Sequence, residues 1–412
     1  MGLLRSIDLS PVSLEMYEDA VGRDAIDRLR EAARPLRGRR VAHVNATAYG
    51  GGVSELLRST VPLYRALGVA ADWLVIPGNT GFFEVTKGFH NALQGAELEL
   101  TEEVKRTYLR QSELIADGFD GQYDFVVVHD PQPAPLRTLA GPKHARWVWR
   151  CHIDTSQPNP EVLAFLEPFL TAYDARVFTL PAFVPPSLRG HRAAIMAPAI
   201  DPLSPKNMTL PEDLFRRIVA WVGVSDRQPL ITQISRFDPW KDPLGVIDVY
   251  RSVREQVPGT QLALLGQMAL DDPEGWRMYD TIVAETAGDD DIHVFTNYTG
   301  IGNIEVNAFQ SMSDVVLQKS IREGFGLVVS EALWKGTPVV AGRAGGIPLQ
   351  LRDGVDGFLA SEKADFVERT VRLLRDPRLA QELGASGRGH VRAHFLVTRL
   401  IEDEVGLLCS LA

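Results

Sequence analysis

Two glutamates that stand eight positions apart bracket a glycine turn in the second half of this 412-residue chain. An apolar run at 315–317 precedes them, and apolar residues recur at helical spacing after Gly326, so the pattern predicts strand, turn and helix. The first N–H groups of a helix lack internal partners and favour an anion. The turn therefore suits a phosphorylated ligand, with Glu323 in reach of a sugar hydroxyl and Glu331 in reach of a ribose. The alternative is an ordinary turn with two incidental acids.

Two cations follow another predicted strand of the same half. Arg236 and Lys241 lie five positions apart after the apolar run 230–234, and Asp242-Pro243 then begins a helix. Positive charges at this place could neutralise a diphosphate leaving group as its bond to a sugar breaks. The alternative is a pair of solvated basic residues on a loop.

Polar clusters also follow two predicted strands of the first half. Asp130 comes after the apolar run 125–128, and His152 and Asp154 come after 147–149. An open parallel sheet binds its ligand at the carboxyl ends of its strands, so we expect both clusters to face one cleft. A lone histidine after a strand is more often structural, but a core would not tolerate so many unpaired polar neighbours.

A three-glycine turn, Gly50-Gly51-Gly52, joins a predicted strand to a helix near the start of the chain. Its spacing is not the G-x-G-x-x-G of dinucleotide-binding proteins, and the acid about 20 residues on, Asp72, precedes the next strand instead of ending it. The turn therefore argues against a nicotinamide cofactor. It is better interpreted as a backbone nest facing a phosphate or an acceptor sugar, with a plain structural turn as the alternative.

Composition excludes several classes of function. The net charge of −10 and pI near 5.5 argue against a nucleic-acid surface, and no apolar run reaches the length of a signal peptide or membrane span.

Cys151 and Cys409 are far apart, which predicts neither zinc nor a disulfide and favours a reducing cytoplasm. The acidic triplet 289–291 precedes a strand, so we expect no catalytic metal. His43 and His293 fall inside strands and are interpreted as core residues.

The chain is long enough for two domains. Apolar strands alternate with helical segments in both halves, which predicts parallel sheets covered on both faces, and a proline-rich stretch between Pro185 and Pro211 indicates a connector. We expect a first domain at 1–210 and a second at 211–389. The remainder reads as helical.

The Glu-x7-Glu pattern around Gly-Phe-Gly resembles the donor site of retaining glycosyltransferases with the GT-B fold. This resemblance implies two Rossmann-like domains facing each other across a cleft, with a helix at 390–412 packing back on the first. It also implies that a nucleotide sugar binds without a metal. The donor-binding residues implied are Gly51, Gly52, Arg236, Lys241, Glu323, Gly324, Phe325, Gly326, Leu327 and Glu331.

Three stretches of the first half, 87–95, 129–133 and 149–156, narrow the resemblance to trehalose glycosyltransferring synthases and the related trehalose phosphorylases. It implies a cytoplasmic enzyme that moves glucose from NDP-glucose to glucose and forms α,α-trehalose. A homodimer is compatible with it, and neither nucleic acid nor membrane is expected as a partner. A phosphorylase and a catalytically silent sugar-nucleotide sensor are the alternatives. The acceptor-binding residues implied are His90, Asp130, His152 and Asp154, and the catalytic residues are Arg236, Lys241, Glu323 and His152.

Overall fold

The structure, a computed structural model, describes residues 4–119, 122–140, 144–268 and 273–412. The chain forms two compact units. The first comprises Met1–Pro198 and Val397–Ala412, and the second comprises Ala199–Leu396. The division falls inside the proline-rich stretch that the sequence marks as a connector, and the end of the chain belongs with the first unit.

The sheet of the first unit contains seven strands in the described part of the chain, in the order β1-β3-β2-β4-β5-β6-β7. All neighbouring strands are parallel except β1, which pairs antiparallel with β3 at one edge. The chain reverses its winding direction between β2 and β4, which is where a doubly wound sheet opens a crevice for a ligand. The strands are β1 Arg5–Ser6, β2 Arg40–Asn45, β3 Ala70–Val75, β4 Phe125–His129, β5 Arg146–Arg150, β6 Ala175–Phe178 and β7 Ala193–Ile195.

The helices of the first unit follow the apolar periodicity of the sequence. A side-chain cap begins three of them: Asn79 accepts from the N–H of Phe82, Thr101 accepts from the N–H of Val104, and Asn159 accepts from the N–H groups of Glu161 and Val162. Their apolar faces bury a cluster of aromatic rings that includes Phe89. The helices are α1 Glu18–Val21, α2 Arg23–Ala33, α3 Gly52–Ala66, α4 Thr80–Leu93, α5 Glu102–Asp117, α6 Leu136–Leu139 and α7 Pro160–Thr171.

The sheet of the second unit has six described strands, all parallel, in the order β10-β9-β8-β11-β12-β13. Its winding reverses between β8 and β11. The doubly wound architecture predicted from alternating strands and helices is therefore confirmed in both units, because each sheet reverses its winding and packs against an apolar core. The strands are β8 Leu230–Ser235, β9 Gln261–Gly266, β10 Ile292–Thr296, β11 Val315–Gln318, β12 Val339–Gly342 and β13 Phe358–Ala360.

The helices of the second unit connect these strands, and one further helix returns to the first unit. No described helix combines the length and the apolar character that a bilayer crossing requires. The helices are α8 Glu212–Trp221, α9 Pro243–Gln256, α10 Pro273–Glu285, α11 Asn303–Met312, α12 Leu327–Lys335, α13 Ile347–Gln350, α14 Lys363–Arg375, α15 Pro377–His394 and, in the first unit, α16 Val397–Cys409.

A buried ion pair attaches α16 to the first unit. Glu404 of α16 pairs with Arg150 at the end of β5, and the hydroxyl of Tyr64 on α3 donates to Glu404 at 3.1 Å. Burial raises the pKa of Glu404, although Arg150 and Tyr64 oppose the rise. The helix also packs against α2 and α3. The last residues of the chain are therefore part of the first unit's core.

Replacing Glu404 with alanine is expected to lower the free energy of unfolding by about 3 kcal/mol, because Arg150 would be left buried without its counter-ion. Urea unfolding measures the loss. The matched control is Glu382→Ala on α15, whose carboxylate pairs with Arg378 in solvent and should contribute less than about 1 kcal/mol. Equal losses for the two variants would contradict a special role for the buried pair.

Candidate active site

The predicted glycine turn of the second unit lies between β11 and α12, at the point where the winding of the sheet reverses. Gly326 occupies the cap position before Leu327 and has a φ of 82°, a left-handed conformation that a side chain at this position would strain. Glu323 lies in the loop just before it. The backbone N–H groups at the start of α12 therefore follow directly on a carboxylate.

The two loops at this reversal point bring four charged residues into one cluster. Lys241 Nζ lies 2.7 Å from Glu323 Oε2, with only 16% and 11% of the two side chains exposed. Arg236 Nη2 lies 3.4 Å from Asp238, which is buried. Burial raises the pKa of Asp238; Lys241 and Arg236 oppose the rise and Glu323 adds to it. The ion pair between Lys241 and Glu323 therefore joins the two loops directly.

Backbone contacts hold these two loops together. The N–H of Ile321 donates to the carbonyl of Trp240 at 2.7 Å, and the ammonium of Lys319 pairs with Asp242. Asp242 has a left-handed φ of 47° and also caps α9, accepting from the N–H of Gly245 at 3.1 Å. The position of Lys241 is therefore set by its neighbours on both sides.

Glu331 lies in the second turn of α12 and is buried. Gln310 Nε2 donates to it at 3.3 Å, and Lys206 Nζ is 3.9 Å away. Lys335, one turn further on, donates to the backbone carbonyl of Glu331 and to Asn207, and burial lowers the pKa of Lys335 to about 7. Sequence reasoning missed Lys206 and Gln310, because neither lies near Glu331 along the chain.

A second glycine loop, which the sequence analysis did not single out, supports the first. Gly345 and Gly346 follow β12, and the N–H of Gly346 donates to the carbonyl of Gly324 at 3.2 Å. Just beyond, the buried Gln350 donates to the carbonyl of Phe325 and accepts from the N–H and the hydroxyl of Ser330. The detectable signal was a Gly-Gly pair separated by two residues from the end of an apolar strand.

In the first unit, the predicted three-glycine turn connects β2 to α3 at the reversal point of that sheet. Gly50 and Gly51 have left-handed φ angles of 71° and 87°, and Gly51 and Gly52 are exposed at the start of a 15-residue helix. This is a geometry in which free N–H groups can meet an anion. A role for Gly51 and Gly52 in donor binding stays a prediction.

Two of the predicted acceptor residues meet at the end of the neighbouring strands β4 and β5. The N–H of His152 donates to Asp130 Oδ1 at 2.8 Å, and the His152 ring lies 2.9 Å from the ring of His129. No hydrogen bond joins Asp154 to these described residues; its carboxylate accepts from the N–H of Ser156. His90 lies on α4, and its ring is 3.2 Å from the side chain of Gln94, the residue that follows this helix. The structure therefore joins Asp130 to His152 directly.

Asp130 should make stability depend on pH. Burial raises the pKa of Asp130 to about 7, although the His152 N–H and Arg150 favour the ionised form. Between pH ~4 and ~7 the folded state keeps a proton that the unfolded state has released, so stability falls as pH rises. Relative to the native chain, Asp130→Asn should gain stability through this window and level off above it. Urea unfolding at several pH values measures the difference, and a constant difference would contradict the prediction.

The described residues contain no group of three or more histidine, cysteine, aspartate or glutamate side chains that could hold a metal ion. The charged cluster after β8 and β11 nevertheless supplies two cations and two carboxylates beside a helix N-terminus. This combination can bind an anionic group joined to a polyhydroxylated one. A sugar diphosphate has that chemistry.

Comparisons with known proteins agree with this interpretation. Residues 43–185 match the family "Trehalose synthase, N-terminal domain", and residues 217–390 match "Glycosyl transferases group 1". The chain is 49% identical to a trehalose synthase of Rubrobacter xylanophilus, over 99% of each chain. It is 48% identical to that of Pyrococcus horikoshii, over 97% of this chain and 96% of the other. A trehalose phosphorylase of Pleurotus pulmonarius is 28% identical over 97% of this chain and 60% of its own length.

A similar fold occurs in a solved structure, the UDP-forming α,α-trehalose-phosphate synthase of Burkholderia xenovorans. The TM-score is 0.73, and the match covers 90% of this chain and 98% of the other at 16% identity. At this identity the likeness concerns the fold alone. Together with the group 1 match, it confirms the GT-B fold class that was predicted from the Glu-x7-Glu pattern.

Proposed function

This chain belongs to the trehalose synthases that carry a group 1 glycosyltransferase domain, and on that premise we propose that it moves glucose from an NDP-glucose to the anomeric hydroxyl of glucose. The product is α,α-trehalose with retained configuration. The observation that carries the proposal is the cluster of Arg236, Asp238, Lys241 and Glu323 at the reversal point of the second sheet.

The second unit binds the donor. Arg236 and Lys241 neutralise the diphosphate as negative charge builds up on it, which stabilises the transition state. Glu323 accepts from hydroxyls of the donor glucose, and the backbone from Gly324 to Leu327 contacts the same sugar and its phosphate. Glu331 accepts from the ribose. Asp238 pairs with Arg236 at 3.4 Å, and its carboxylate offsets the mutual repulsion of the two cations.

The first unit binds the acceptor glucose. Asp130 and His152 lie together after β4 and β5, and the Asp130 carboxylate holds the backbone of His152. His90 and Asp154 complete the acceptor site. Gly51 and Gly52 contribute backbone N–H groups to the donor diphosphate.

The reaction proceeds by substitution on one face of the donor sugar. The bond from the anomeric carbon to the diphosphate oxygen breaks, and the bond to the acceptor oxygen forms on the same face. The departing diphosphate oxygen takes the proton of the acceptor hydroxyl, so atoms and charges balance. A double displacement would need a carboxylate nucleophile on the opposite face. Rescue of an Asp130→Ala variant by azide, giving a product of inverted configuration, would contradict the same-face path.

One assay tests the proposed function. The full-length protein is incubated with glucose and either UDP-glucose or ADP-glucose, and the released NDP and the disaccharide are measured. We expect equal amounts of NDP and of a disaccharide that trehalase hydrolyses to glucose. Binding of NDP-glucose without product would favour a silent sensor, and it would contradict the proposal.

Glu331 separates the synthase from the phosphorylase alternative. Glu331→Gln should raise the KM for NDP-glucose about tenfold, because a hydrogen bond from the ribose to a charged acceptor is weakened. Phosphorolysis of trehalose involves no ribose and would be unaffected. The matched control is Glu382→Gln, at an exposed glutamate, which should change neither the KM for NDP-glucose nor the phosphorolysis of trehalose. An unchanged donor KM together with phosphate-dependent release of glucose 1-phosphate would contradict the synthase.

A further inference from the structure

Three imidazole rings form a continuous hydrogen-bonded chain in the first unit. His43 Nδ1 on β2 lies 3.1 Å from His129 Nε2 on β4, and His129 Nδ1 lies 2.9 Å from Nε2 of His152, just after β5. Neighbouring rings are stacked, with centroids 5.4 and 5.2 Å apart. His43 and His129 are buried. The chain of rings therefore runs across three adjacent strands and ends at the proposed acceptor site.

The three rings are neutral at physiological pH. Burial lowers the pKa of His43 to about 3 and lowers those of His129 and His152 well below their ordinary value, with the charge of Arg150 acting in the same direction. Arg150 is itself paired with Glu404, which Tyr64 also contacts. Asp130 is joined to the three rings by one hydrogen bond, which its carboxylate accepts from the backbone N–H of His152. Each ring thus carries one N–H and one lone pair.

Only two arrangements of hydrogens satisfy both contacts. If His129 carries its hydrogen on Nδ1, it donates to His152, and His43 must donate to His129, so all three rings are protonated at Nδ1. If His129 carries it on Nε2, all three are protonated at Nε2. The tautomer of His43, at the other end of the row of three rings, therefore determines the tautomer of His152.

The surroundings of His43, at the buried end of the row of three rings, favour the arrangement in which all three rings carry their hydrogen on Nδ1. His43 Nε2 has no hydrogen-bond partner among the residues that the structure describes. In the first arrangement this atom is a lone pair, and in the second it is an N–H facing a neighbourhood to which Arg150 adds positive charge. Buried N–H groups without an acceptor are rare in native proteins. The N–H of His152 is then on Nδ1, which makes no hydrogen bond within the described residues and is available to a ligand.

We propose that His129 and His43 are positioning residues that hold His152 with its Nδ1–H as a hydrogen-bond donor to a substrate oxygen. This inference rests on the proposed function for the identity of the substrate. It adds that His152 binds a sugar oxygen and does not act as the base that removes the acceptor proton. That role is left to the diphosphate oxygen of the donor.

The tautomers can be measured without turnover. Nitrogen-15 NMR on full-length protein labelled at its nine histidines, with single variants for assignment, distinguishes Nδ1–H from Nε2–H rings. We expect Nδ1–H for His43, His129 and His152, without titration between pH 6 and 8.5. An Nε2–H ring at His152, or titration of any of the three in this range, would overturn the proposal. Because the NMR measurement detects no product, its outcome does not depend on whether the trehalose assay succeeds or fails.

Matched variants of His129 separate positioning from packing. His129→Asn keeps an N–H donor near the place of Nδ1, whereas His129→Leu removes it. In the leucine variant we expect kcat/KM for glucose to fall by roughly 10–100-fold, by analogy with the loss of a partner that orients a metal-ligating histidine. The NMR spectrum of this variant should show the His152 hydrogen shared between the two ring nitrogens. The asparagine variant should recover most of the activity and the Nδ1–H state of His152.

His43 has its own variants and control. His43→Asn keeps a donor to His129. His43→Leu removes this donor, so the NMR spectrum should no longer show a single Nδ1–H tautomer for His129 and His152. His293→Leu, a histidine on β10 of the second unit, should change neither spectrum nor activity. If the leucine and asparagine variants at position 129 lose activity equally, with the His152 tautomer unchanged, the three rings are merely packed and the proposal is wrong.

Discussion

Gly345→Ala is expected to lower kcat by about 100-fold, although Gly345 carries no group that could take part in chemistry. An added Cβ would collide with the carbonyl oxygen of Glu323 and lie 2.6 Å from its carbonyl carbon. The backbone of the donor turn would have to move by about an ångström, and displacements of this size cost roughly 100-fold in rate. Steady-state kinetics with saturating NDP-glucose measure the loss.

The matched control for this prediction is Gly354→Ala. Both glycines have left-handed φ angles, 48° at Gly345 and 74° at Gly354, but an added Cβ at Gly354 meets nothing within 4 Å. Its substitution therefore imposes backbone strain alone and should leave kcat within about twofold, because it displaces no site residue. Equal losses of activity in the two variants would mean that strain, and not the contact with Glu323, explains the effect.

Lys241→Met and Glu323→Gln are each expected to lower kcat by about 100–1,000-fold. Lys241 loses a positive charge aimed at the leaving diphosphate, and such preorganised charges contribute this much to turnover. Glu323→Gln also removes the counter-ion of Lys241, which is held at 2.7 Å. Initial rates of NDP release at several donor concentrations separate the effect on kcat from that on KM.

Two further variants test whether Lys241 and Glu323 act together. The double variant, Lys241→Met with Glu323→Gln, should be scarcely less active than either single variant, because the two groups act as a unit. Lys363→Met is the control, since Lys363 pairs with Asp248 on the surface at 2.6 Å and should be neutral. Additive losses in the double variant would show that the pair does not act together.

Much of this site could be predicted because its signals are local. The apolar run before Glu323, the glycines of the turn and the helical spacing after Gly326 predicted β11, the loop and α12 in the places where they are found. The polar residues after β4 and β5 were likewise located by their position at strand ends. Strand and helix periodicity and glycine conformation depend on near neighbours in the chain, so they can be detected in one sequence.

The partners of these residues could not be predicted in the same way. Gly345 lies 22 positions from Glu323, and its importance comes from a backbone contact that only the neighbouring β12 and β11 create. Lys206 and Gln310 reach Glu331 from other elements. Nothing in the residues around Glu331 indicates which distant side chains will surround it.

The sequence by itself determined the fold class, the strand ends and the side chains that follow them, since these depend on spacing and on backbone preferences within a few residues. The tertiary structure alone decided the hydrogen-bonded histidines of β2 and β4, the ion pair of α16 and the glycine loop that holds Glu323. Each of these joins segments distant along the chain, and folding brings them together by burying apolar surface, which has no directional preference for a particular partner.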